Sequence, residues 1–590
     1  MNILAIHQGH CATAAIFEKD HISAVLSEEK INNIKNSWGY PKGAIEAILE
    51  MRGLKPDDID HVAIAGTDLF PNQFYDHLMN QDVKHFTSSW LYKQFQKVDI
   101  YSSQSVVSSV VDFFRKRRVT KRIQHWNNIA IPELLEGLQI SGLQNTPRSF
   151  IDHYKCHAAS AYYALNPQGN SEPALVFTLD GGGDGLCATV SVVDGDGSWK
   201  VLAKTPVSAS LGIIYLSTTE FLGMKILEHE HKVMGLASYC KDYHLDVFKR
   251  VFEPVIDLDY DNPLVFKSKI RPGLFYDHLV KNAVGERFDN IAGAVQLLVE
   301  DRVVKWIKAA VKKTGIHRIF TGGGVFMNVK LNQRIAEIDE VHEAHFLPSC
   351  GDESNSLGAA YVIACEKKQE IKPIENLYLG FEFSDNKLNK YIQESGLAEK
   401  YNVKFYEDVE KEIASLLSDR EIVARFSGKC EWGARALGNR SILAHPSHIE
   451  SFYTVNDLIK CRDFWMPFAP TILDTKADEY LNNYNPKCVK APYMTLTYSA
   501  SEIGLTKLRA AVHQGDHTLR PQVLTRDMNP NYYYLISEFE KKTGVGAVLN
   551  TSFNLHGYPL VGTPEQAVMT FENSELQHLA LGSFIISKIV

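Results

Sequence analysis

Residues 151–185, IDHYKCHAASAYYALNPQGNSEPALVFTLDGGGDG, place a helical run directly before a strand and a glycine-rich turn. The helical run is rich in helix formers and carries His153 and His157, four positions apart. Side chains at this spacing share one helix face, so two imidazoles can reach the same metal ion. Such a histidine pair is by itself more often incidental than metal-binding. The surrounding sequence therefore determines whether a metal site is predicted.

The second half of this stretch predicts a buried strand that ends at Asp180, with three glycines directly after it. Glycines allow backbone N–H groups to approach a phosphate closely. A carboxylate beside them can hold the metal ion that bridges to that phosphate. Together with the histidine pair, this strand and its turn predict a metal-assisted nucleotide site.

The pattern of strand, glycines and helix recurs at residues 318–335, where the helix carries Asn328. A helix N-terminus after glycines suits a phosphate or a ribose. Asp352 lies at a further strand-to-helix turn. The candidate nucleotide contacts in this part of the chain are Gly181, Gly182, Gly183, Lys232, Gly323, Gly324 and Asn328.

Residues 228–239, EHEHKVMGLASY, carry two histidines in alternation. On a strand, His229 and His231 would share one face, and we favour solvent exposure over metal ligation for them. Lys232 and Gly235 are interpreted as a lysine and a tight turn near anionic groups.

Length and composition bound the class of protein. A chain of 590 residues is long for one core, so two or more domains are expected. A hydrophobic content of 45% and a charged content of 22% are ordinary for a soluble protein, and no apolar run has membrane-spanning length. The net charge of −8 argues against a nucleic-acid binder. Residues 1–17 lack the basic start of a signal peptide and the nine cysteines lack a CxxC pair, so reduced thiols and a cytoplasmic location are expected.

The first 66 residues predict a strand, a hairpin, a helix that begins at Pro41 and another strand. This order resembles the opening of the actin-like and hexokinase-like ATPase fold, which has two lobes with a nucleotide in the cleft. Residues 68–125 are aromatic and irregular, like an insertion. The basic run within them, 115–122, is interpreted as a solvated helix end rather than an anion contact.

The charged, apolar-poor residues 366–378 predict a domain boundary, which gives domains 1–370 and 371–590. Cationic side chains in the second domain accompany small and polar ones, a combination that suits a small dianion because guanidinium groups bind it in bidentate fashion. A surface ion pair is the alternative for each arginine alone. The residues of this predicted phosphate site are Arg435, Arg440, Lys460, Arg462, Arg520, Asn550, Thr551, Ser552 and Asn554.

Seven strings together resemble one family over nearly the whole chain. They are HAASAYY, LDGGGDG, KVMGLASY, GGGVFMN, ALGNRSILA, PFAP and VLNTSFN. The family is that of the O-carbamoyltransferases of antibiotic tailoring and of nodulation-factor decoration. Its members are similar in fold to two tRNA-modification enzymes in one chain: an actin-like threonylcarbamoyl transferase, followed by the α/β fold of threonylcarbamoyl-adenylate synthase.

The resemblance implies a two-step reaction. Carbamoyl phosphate and ATP would give carbamoyl-adenylate in the C-terminal domain, and an acceptor hydroxyl would then take the carbamoyl group in the N-terminal domain beside a divalent metal, iron(II) in family members. The acceptor would be a hydroxylated small molecule or a sugar, and a homodimer is expected. The implied metal ligands are His153, His157, Asp180 and Asp352. The implied contacts of carbamoyl phosphate and nucleotide are Arg435, Lys460, Arg520, Asn550 and Ser552.

His10 takes the place of a family histidine and is our candidate for the general base, with a satisfied histidine at a strand end as the alternative. Its neighbour Cys11 stands where the family has an acidic residue. Met466 stands where the family often has arginine before PFAP, so one phosphate contact is missing or is supplied by Arg462. Two other functions stay open: a transferase that modifies tRNA with threonylcarbamoyl groups, and a non-catalytic nucleotide-binding protein.

Overall fold

The computed structural model describes residues 1–79, 106–167, 169–460 and 462–589, with the side chains of 77–79, 106–122 and 458 left out. The chain divides into two compact units. The first contains Met1–Ser23 and Ser37–Pro373, and the second contains Ala24–Asn36 and Ile374–Val590. The domain boundary near residue 370 stays a prediction.

The strands of the described residues are Asn2–His7 (β1), Thr13–Glu18 (β2), His21–Ser27 (β3), His61–Ala65 (β4), Arg148–Ile151 (β5), Ala174–Gly183 (β6), Leu186–Val193 (β7), Trp199–Pro206 (β8), Ile256–Leu258 (β9), Phe266–Ser268 (β10), Arg318–Gly322 (β11), Glu343–Phe346 (β12), Asn402–Phe405 (β13), Val423–Phe426 (β14), Arg440–Ala444 (β15), Ala469–Leu473 (β16), Tyr498–Ser499 (β17), Thr518–Leu519 (β18), Gln522–Leu524 (β19), Ala547–Ser552 (β20), His578–Leu581 (β21) and Phe584–Ser587 (β22).

The α-helices of the same residues are Glu29–Asn32 (α1), Lys42–Arg52 (α2), Asn72–Met79 (α3), Val106–Ile140 (α4), His153–Leu165 (α5), Leu211–Phe221 (α6), Glu230–Ala237 (α7), His244–Val247 (α8), Phe275–Asn282 (α9), Phe288–Thr314 (α10), Val329–Ala336 (α11), Asn355–Glu366 (α12), Asp385–Glu394 (α13), Leu397–Lys400 (α14), Val409–Ser418 (α15), Ile449–Tyr453 (α16), Ala477–Tyr480 (α17), Glu502–Lys507 (α18), Pro530–Thr543 (α19) and Pro564–Glu572 (α20). Within the described part of the chain, no helix is both long and apolar enough to span a membrane.

The first unit contains one sheet pattern twice. In spatial order its first sheet is β3, of which His21–Ser23 belong to this unit, then β2, β1, β4 and β5, and β1 pairs antiparallel with β2 and parallel with β4. Its second sheet, β8, β7, β6, β11 and β12, has the same order, and β6 pairs antiparallel with β7 and parallel with β11. This duplication is typical of the actin-like and hexokinase-like ATPase fold, so the predicted fold class is confirmed.

Two helices of the first unit lie against these sheets and against each other. Helix α5 contacts β6 and β11, and helix α12 contacts β1, β2 and β4. Their approach requires a glycine, since a Cβ atom at Gly358 of α12 would lie 1.9 Å from the carbonyl oxygen of Cys156 on α5. The Asp152 side chain caps α5 by accepting a hydrogen bond of 2.8 Å from the Lys155 N–H. The histidine pair therefore lies on a helix that is fixed at its start and along its side.

The second unit is built on a mixed sheet in the order β13, β22, β21, β14, β15, β20, β16 and β19. Its core includes Phe426, Leu549 and Phe571. The segment 24–36 belongs to this unit although it comes early in the chain, and the Gln566 amide donates 3.1 Å to the carbonyl oxygen of Lys30.

The interpretation of Gly235 as a tight turn is wrong. Residues 230–237 form α7 with His229 as the N-cap residue, so His229 and His231 do not share a strand face. Gly235 is buried within the helix and does not form a tight turn. Two histidines in alternation also occur at a helix start, and the apolar residues that follow them favour the helix.

Three other predictions need correction. Within 68–125, residues 72–79 and 106–125 lie in α3 and the first part of α4, so they are helical rather than irregular, and 80–105 lie outside the described residues. The basic run 115–122 lies inside α4 rather than at a helix end. Strand β6 continues through Gly183 instead of ending at Asp180, with an irregular register after Leu179.

Candidate metal centre and anion site

The two histidines of α5 face each other on one side of the helix. Their Nε2 atoms lie 3.1 Å apart, and both side chains are buried. Since neither imidazole is open to solvent, the polar groups that can reach these nitrogens belong to the protein or to a bound ligand.

Two carboxylates approach the same nitrogen atoms from other elements. Asp180 lies on β6, and its Oδ2 is 3.5 Å from Nε2 of His153. Asp352 lies just before α12, and its Oδ1 is 3.5 Å from Nε2 of both His153 and His157. One potential ligand atom from each of these four residues lies within 4.8 Å of the others. The four residues predicted as metal ligands are therefore close enough to surround one ion.

The donor set fits a divalent cation. The Oδ1 atom of Asp352 is buried without a hydrogen-bond partner, and a cation bound between it and the two imidazole nitrogens would offset its desolvation. Two imidazole nitrogens and two carboxylate oxygens suit iron, manganese or zinc.

Further groups contact three of the four predicted ligands. Ser354 Oγ lies 3.3 Å from Nδ1 of His157, and Asn355 Nδ2 lies 3.4 Å from both Nδ1 of His153 and Nε2 of His157. Oδ1 of Asp180 accepts a hydrogen bond of 2.9 Å from the Gly324 N–H. Such contacts fix the direction of a ligand's lone pair.

The charges in this cluster depend on each other. Burial lowers the pKa of His153, but the carboxylates of Asp352 and Asp180 outweigh it and raise that pKa to about 9. Burial raises the pKa of Asp352, yet the charges of His153 and His157 hold it well below its ordinary range. The arrangement thus keeps the carboxylates ionised and attracts positive charge between them.

His7, at the end of β1, is a neighbour of the cluster that the sequence did not single out. Its Nε2 atom is 3.1 Å from the carbonyl oxygen of His10 and 4.0 Å from Oδ2 of Asp352. Burial lowers the pKa of His7 to about 4, so the ring is neutral and donates from Nε2 to that carbonyl. His7 lies at the end of an apolar strand, at the sheet edge where β4 and β5 also end. This position is the sequence signal that indicates His7 as a functional residue.

His10 lies in the turn between β1 and β2. Its Nδ1 atom is 3.4 Å from Sγ of Cys11, and Cys11 has a left-handed φ of 60°. The structure therefore places the predicted general base beside His7, at one side of the metal-ligand cluster.

The predicted glycines lie close to the ligands. A Cβ atom at Gly183 would be 2.5 Å from the ring of His153, and one at Gly324 would be 2.7 Å from Oδ1 of Asp180. Gly323 has φ of +98°, and a Cβ there would meet the Leu179 carbonyl oxygen at 2.4 Å. These three glycines thus leave room for the metal ligands and for the backbone beside them, whereas a Cβ at Gly181 would have nothing within 4 Å.

Asn328 and Lys232 lie on other elements. Asn328 is the N-cap residue of α11, and its amide makes two hydrogen bonds with Gln296, of 2.8 and 3.1 Å. Gln296 also accepts from the Tyr215 hydroxyl at 3.2 Å and donates to Glu300 at 2.7 Å. Lys232 is half-buried in α7. The amide network around Asn328 was not predicted, since its members come from three helices.

In the second unit, Lys460 is buried and surrounded by oxygen atoms. Its Nζ donates to the carbonyl oxygens of Ser552 and Asn554 at 2.7 and 2.8 Å, and to Oδ1 of Asn554. Burial lowers the pKa of Lys460 well below its ordinary value, and the charges of Arg462 and Lys35 lower it further.

Three arginines accompany this lysine. Burial and the charge of Arg435 lower the pKa of Arg462 to about 10. Burial and the charges of Arg435 and Arg462 hold the pKa of Arg520 well below its ordinary range. Arg462 also donates to Oγ of Ser552 at 3.3 Å. Four cations therefore form one group, called here the cationic cluster: Arg435, Lys460, Arg462 and Arg520. Each positive charge in this cluster makes the charged form of its neighbours less favourable.

Arg440 and Asn550 make different contacts. Arg440 is fully buried, packs on Phe426 at 3.7 Å and donates to the carbonyl oxygens of Ser427 and Asn439 at 2.8 and 3.0 Å. Asn550 donates to the carbonyl oxygen of Ala436 at 3.1 Å, directly after Arg435 in the chain. Both side chains hold the backbone that carries Arg435.

Glu431 is a further organiser of this loop that the sequence did not single out. One of its carboxylate oxygens accepts three backbone N–H groups, from Leu437 and Asn439 at 2.8 Å and from Arg440 at 3.1 Å. The sequence indicates this role of Glu431 only weakly, because a glutamate among small residues has no periodic pattern.

Comparison with known proteins identifies matching families and relatives. The model described as Carbamoyltransferase N-terminus matches residues 2–361, and that described as Carbamoyltransferase C-terminus matches residues 414–588. Full-length HypF in its phosphate- and nucleotide-bound form covers 61% of this chain and 55% of its own, at 16% identity and a TM-score of 0.35, which is too low to support an inference.

Three relatives match this chain over most of its length. Uncharacterized protein MJ1051 of Methanocaldococcus jannaschii is 30% identical over 100% of both chains. Nodulation protein NolNO of Sinorhizobium fredii is 29% identical over 98% of this chain and 79% of its own. Nodulation protein NolO of Bradyrhizobium diazoefficiens is 29% identical over 74% of this chain and 79% of its own. The resemblance stated from the sequence motifs is confirmed.

Proposed function

This chain belongs to the carbamoyltransferase family, and on that premise we propose that it is an ATP-dependent O-carbamoyltransferase with two half-reactions. In the first, assigned to the second unit, water cleaves carbamoyl phosphate to carbamate and phosphate. A carbamate oxygen then displaces pyrophosphate from ATP, which gives carbamoyl-adenylate. In the second, assigned to the first unit, an acceptor hydroxyl attacks the carbamoyl carbon and AMP leaves.

The cationic cluster is the observation that carries this proposal. Lys460 and Arg520 have pKa values lowered by burial and by other cations, so the ligand-free cluster is electrostatically unfavourable. A phosphate dianion would offset these charges and accept bidentate hydrogen bonds. Arg435, Lys460 and Arg520 would neutralise charge as it moves to the leaving phosphate.

The remaining contacts of the first half-reaction follow the family resemblance. Arg462, Asn550 and Ser552 would contact the nucleotide or phosphate. Arg440 would act indirectly by holding the loop that carries Arg435, because its own hydrogen bonds go to backbone carbonyl oxygens.

For the second half-reaction, His153, His157, Asp180 and Asp352 would hold a divalent metal, iron(II) by resemblance. When bound, this metal would supply a Lewis acid to the adenylate phosphate. His10 would take the proton of the acceptor hydroxyl. The nucleotide contacts proposed for this unit are Gly181, Gly182, Gly183, Lys232, Gly323, Gly324 and Asn328.

The acceptor proposed is a hydroxylated small molecule or a sugar. The family resemblance to enzymes of nodulation-factor decoration supports a sugar hydroxyl, and two relatives carry the name nodulation protein. A cytoplasmic homodimer is proposed as the working form.

The test separates the half-reactions. Purified protein with ATP, carbamoyl phosphate and a divalent metal should form carbamoyl-adenylate, detected by mass spectrometry, and pyrophosphate. Arg520→Ala should abolish both products, while Arg509→Ala, a control at an exposed arginine, should form them normally. His153→Ala should form carbamoyl-adenylate and should fail only in transfer. Absence of carbamoyl-adenylate with ATP bound would contradict the proposal and favour the binding-protein alternative.

A further inference from the structure

Asp184 lies in the turn between β6 and β7, four residues after Asp180. It has a left-handed φ of 45°, a conformation that Asp and Asn adopt more readily than most residues. Turn geometry alone would thus accept asparagine or glycine at this position. The contacts of the side chain show why a carboxylate is present.

The Asp184 carboxylate accepts hydrogen bonds from three backbone N–H groups. Oδ2 lies 2.7 Å from the N atom of His153 and 3.0 Å from that of Thr67. Oδ1 lies 2.8 Å from the N atom of Asp68 and 3.1 Å from that of Thr67. Charge-assisted hydrogen bonds of this length are about twice as strong as neutral ones. One carboxylate therefore joins the loop after β4, the start of α5 and the β6–β7 turn.

The hydrogen bond from the His153 N–H is the one that concerns the metal site. His153 is the first residue of α5, and its N–H is among the donors that a helix cannot satisfy internally. The Asp152 side chain caps the same helix, but it accepts from the N–H of Lys155. The backbone position of His153, and with it the reach of Nε2, is thus fixed by Asp184 rather than by the N-cap residue.

This arrangement has an electrostatic cost. The pKa of Asp68 is raised to about 6, mainly by burial and then by the negative charges of Asp184 and Asp152. An amide at position 184 would relieve that repulsion, but its NH₂ group would face one of the donating N–H groups. The charge is useful here because every partner of Asp184 is a donor.

We propose that Asp184 is a positioning residue that fixes His153 for metal binding. The inference rests on the proposed metal centre. The Asp184 carboxylate does not touch the ion. It holds the backbone of one metal ligand, His153, against the turn that follows a second ligand, Asp180. The same carboxylate ties both to the loop that begins at Thr67, so a displacement of that loop would change the geometry of His153.

The test compares two aspartates at the start of the same helix. Full-length protein is titrated with Co²⁺ alone, and the dissociation constant and the d–d absorption spectrum are recorded, with the unfolding midpoint as a measure of stability. Asp184→Asn is expected to raise the dissociation constant by about 10- to 100-fold and to alter the spectrum. Asp152→Ala, which removes the N-cap bond, is expected to lower the midpoint while the dissociation constant stays near that of the wild type.

Asp184→Glu keeps the charge and is expected to recover part of the lost affinity. If Asp184→Asn does not fold, Asp184→Gly, which suits the left-handed turn but lacks the carboxylate, carries the comparison, and a wild-type dissociation constant in it overturns the proposal. Equal loss of affinity in Asp184→Asn and Asp152→Ala also overturns it, since helix destabilisation would explain both. A wild-type protein that binds no Co²⁺ overturns the metal centre itself, whereas wild-type affinity in Asp184→Asn overturns the role of Asp184 alone.

Discussion

Replacing Gly183 by alanine should damage the metal centre through a single added methyl group. An ideal Cβ there lies 2.5 Å from Cγ of His153 and 2.6 Å from its Cδ2 and Nδ1 atoms. Ordinary contacts between carbon atoms are about 3.5–4.0 Å, so the imidazole must move by about 1 Å. Ligand distances in a metal site tolerate about 0.2 Å. We therefore expect metal affinity to fall by about 10- to 100-fold, which is about 1.4–2.7 kcal/mol.

Gly181→Ala is the matched control because it lies in the same glycine run. A Cβ there has no atom within 4 Å, and neither glycine has a positive φ. Both variants are titrated with Co²⁺ or Mn²⁺, and ATP binding is measured separately. The steric reasoning predicts a loss of metal affinity in Gly183→Ala only. Wild-type metal affinity in a folded Gly183→Ala protein would refute it, and weaker ATP binding in Gly181→Ala would support the predicted phosphate contact of this residue.

Two further predictions concern the second unit. Binding of inorganic phosphate should take up protons, because a dianion raises the lowered pKa of Lys460 towards its ordinary value. Calorimetry in two buffers of different ionisation enthalpy measures this proton uptake. The Lys460→Met variant should show no uptake. A fragment of residues 374–590 should be less stable to urea than the same fragment joined to residues 24–36, since that segment packs in the same unit. Equal urea midpoints would contradict this.

The four residues predicted as metal ligands each lie beside a recognisable signal. His153 and His157 share a helix face, Asp180 follows an apolar run, and Asp352 precedes a small-residue helix. These local patterns indicated the positions separately, and the family resemblance implied that all four hold one metal; in the structure, one potential ligand atom of each lies within 4.8 Å of the others.

Other features depend on tertiary contacts that no local pattern carries. Asp184 was not singled out from the sequence, because its carboxylate accepts hydrogen bonds from N–H groups more than 30 residues away in the chain. Arg440 and Arg435 stand in the same motif, yet one donates to carbonyls in the core and the other joins the cationic cluster. The membership of residues 24–36 in the second unit also depends on contacts with residues far along the chain.

Arg520 and Arg440 allow this distinction to be tested, because their removal should change stability in opposite directions. Arg520 is held beside other cations, so Arg520→Ala relieves repulsion and should leave the ligand-free protein as stable as the wild type or more so. Arg440 is fully buried and bonded to carbonyl oxygens, so Arg440→Ala should lower the free energy of unfolding by about 2–5 kcal/mol.

Phosphate should separate the two variants again. Inorganic phosphate binds only the folded cluster, so it should raise the unfolding midpoint of the wild type. Arg520→Ala should lose most of that increase, whereas folded Arg440→Ala protein should keep part of it, because Arg435, Lys460, Arg462 and Arg520 remain. Thermal unfolding at several phosphate concentrations, with sulfate-free chloride at equal ionic strength as control, measures both effects. If Arg520→Ala destabilised the ligand-free protein as much as Arg440→Ala, the cations would be structural, and the cationic cluster would no longer support a dianion site.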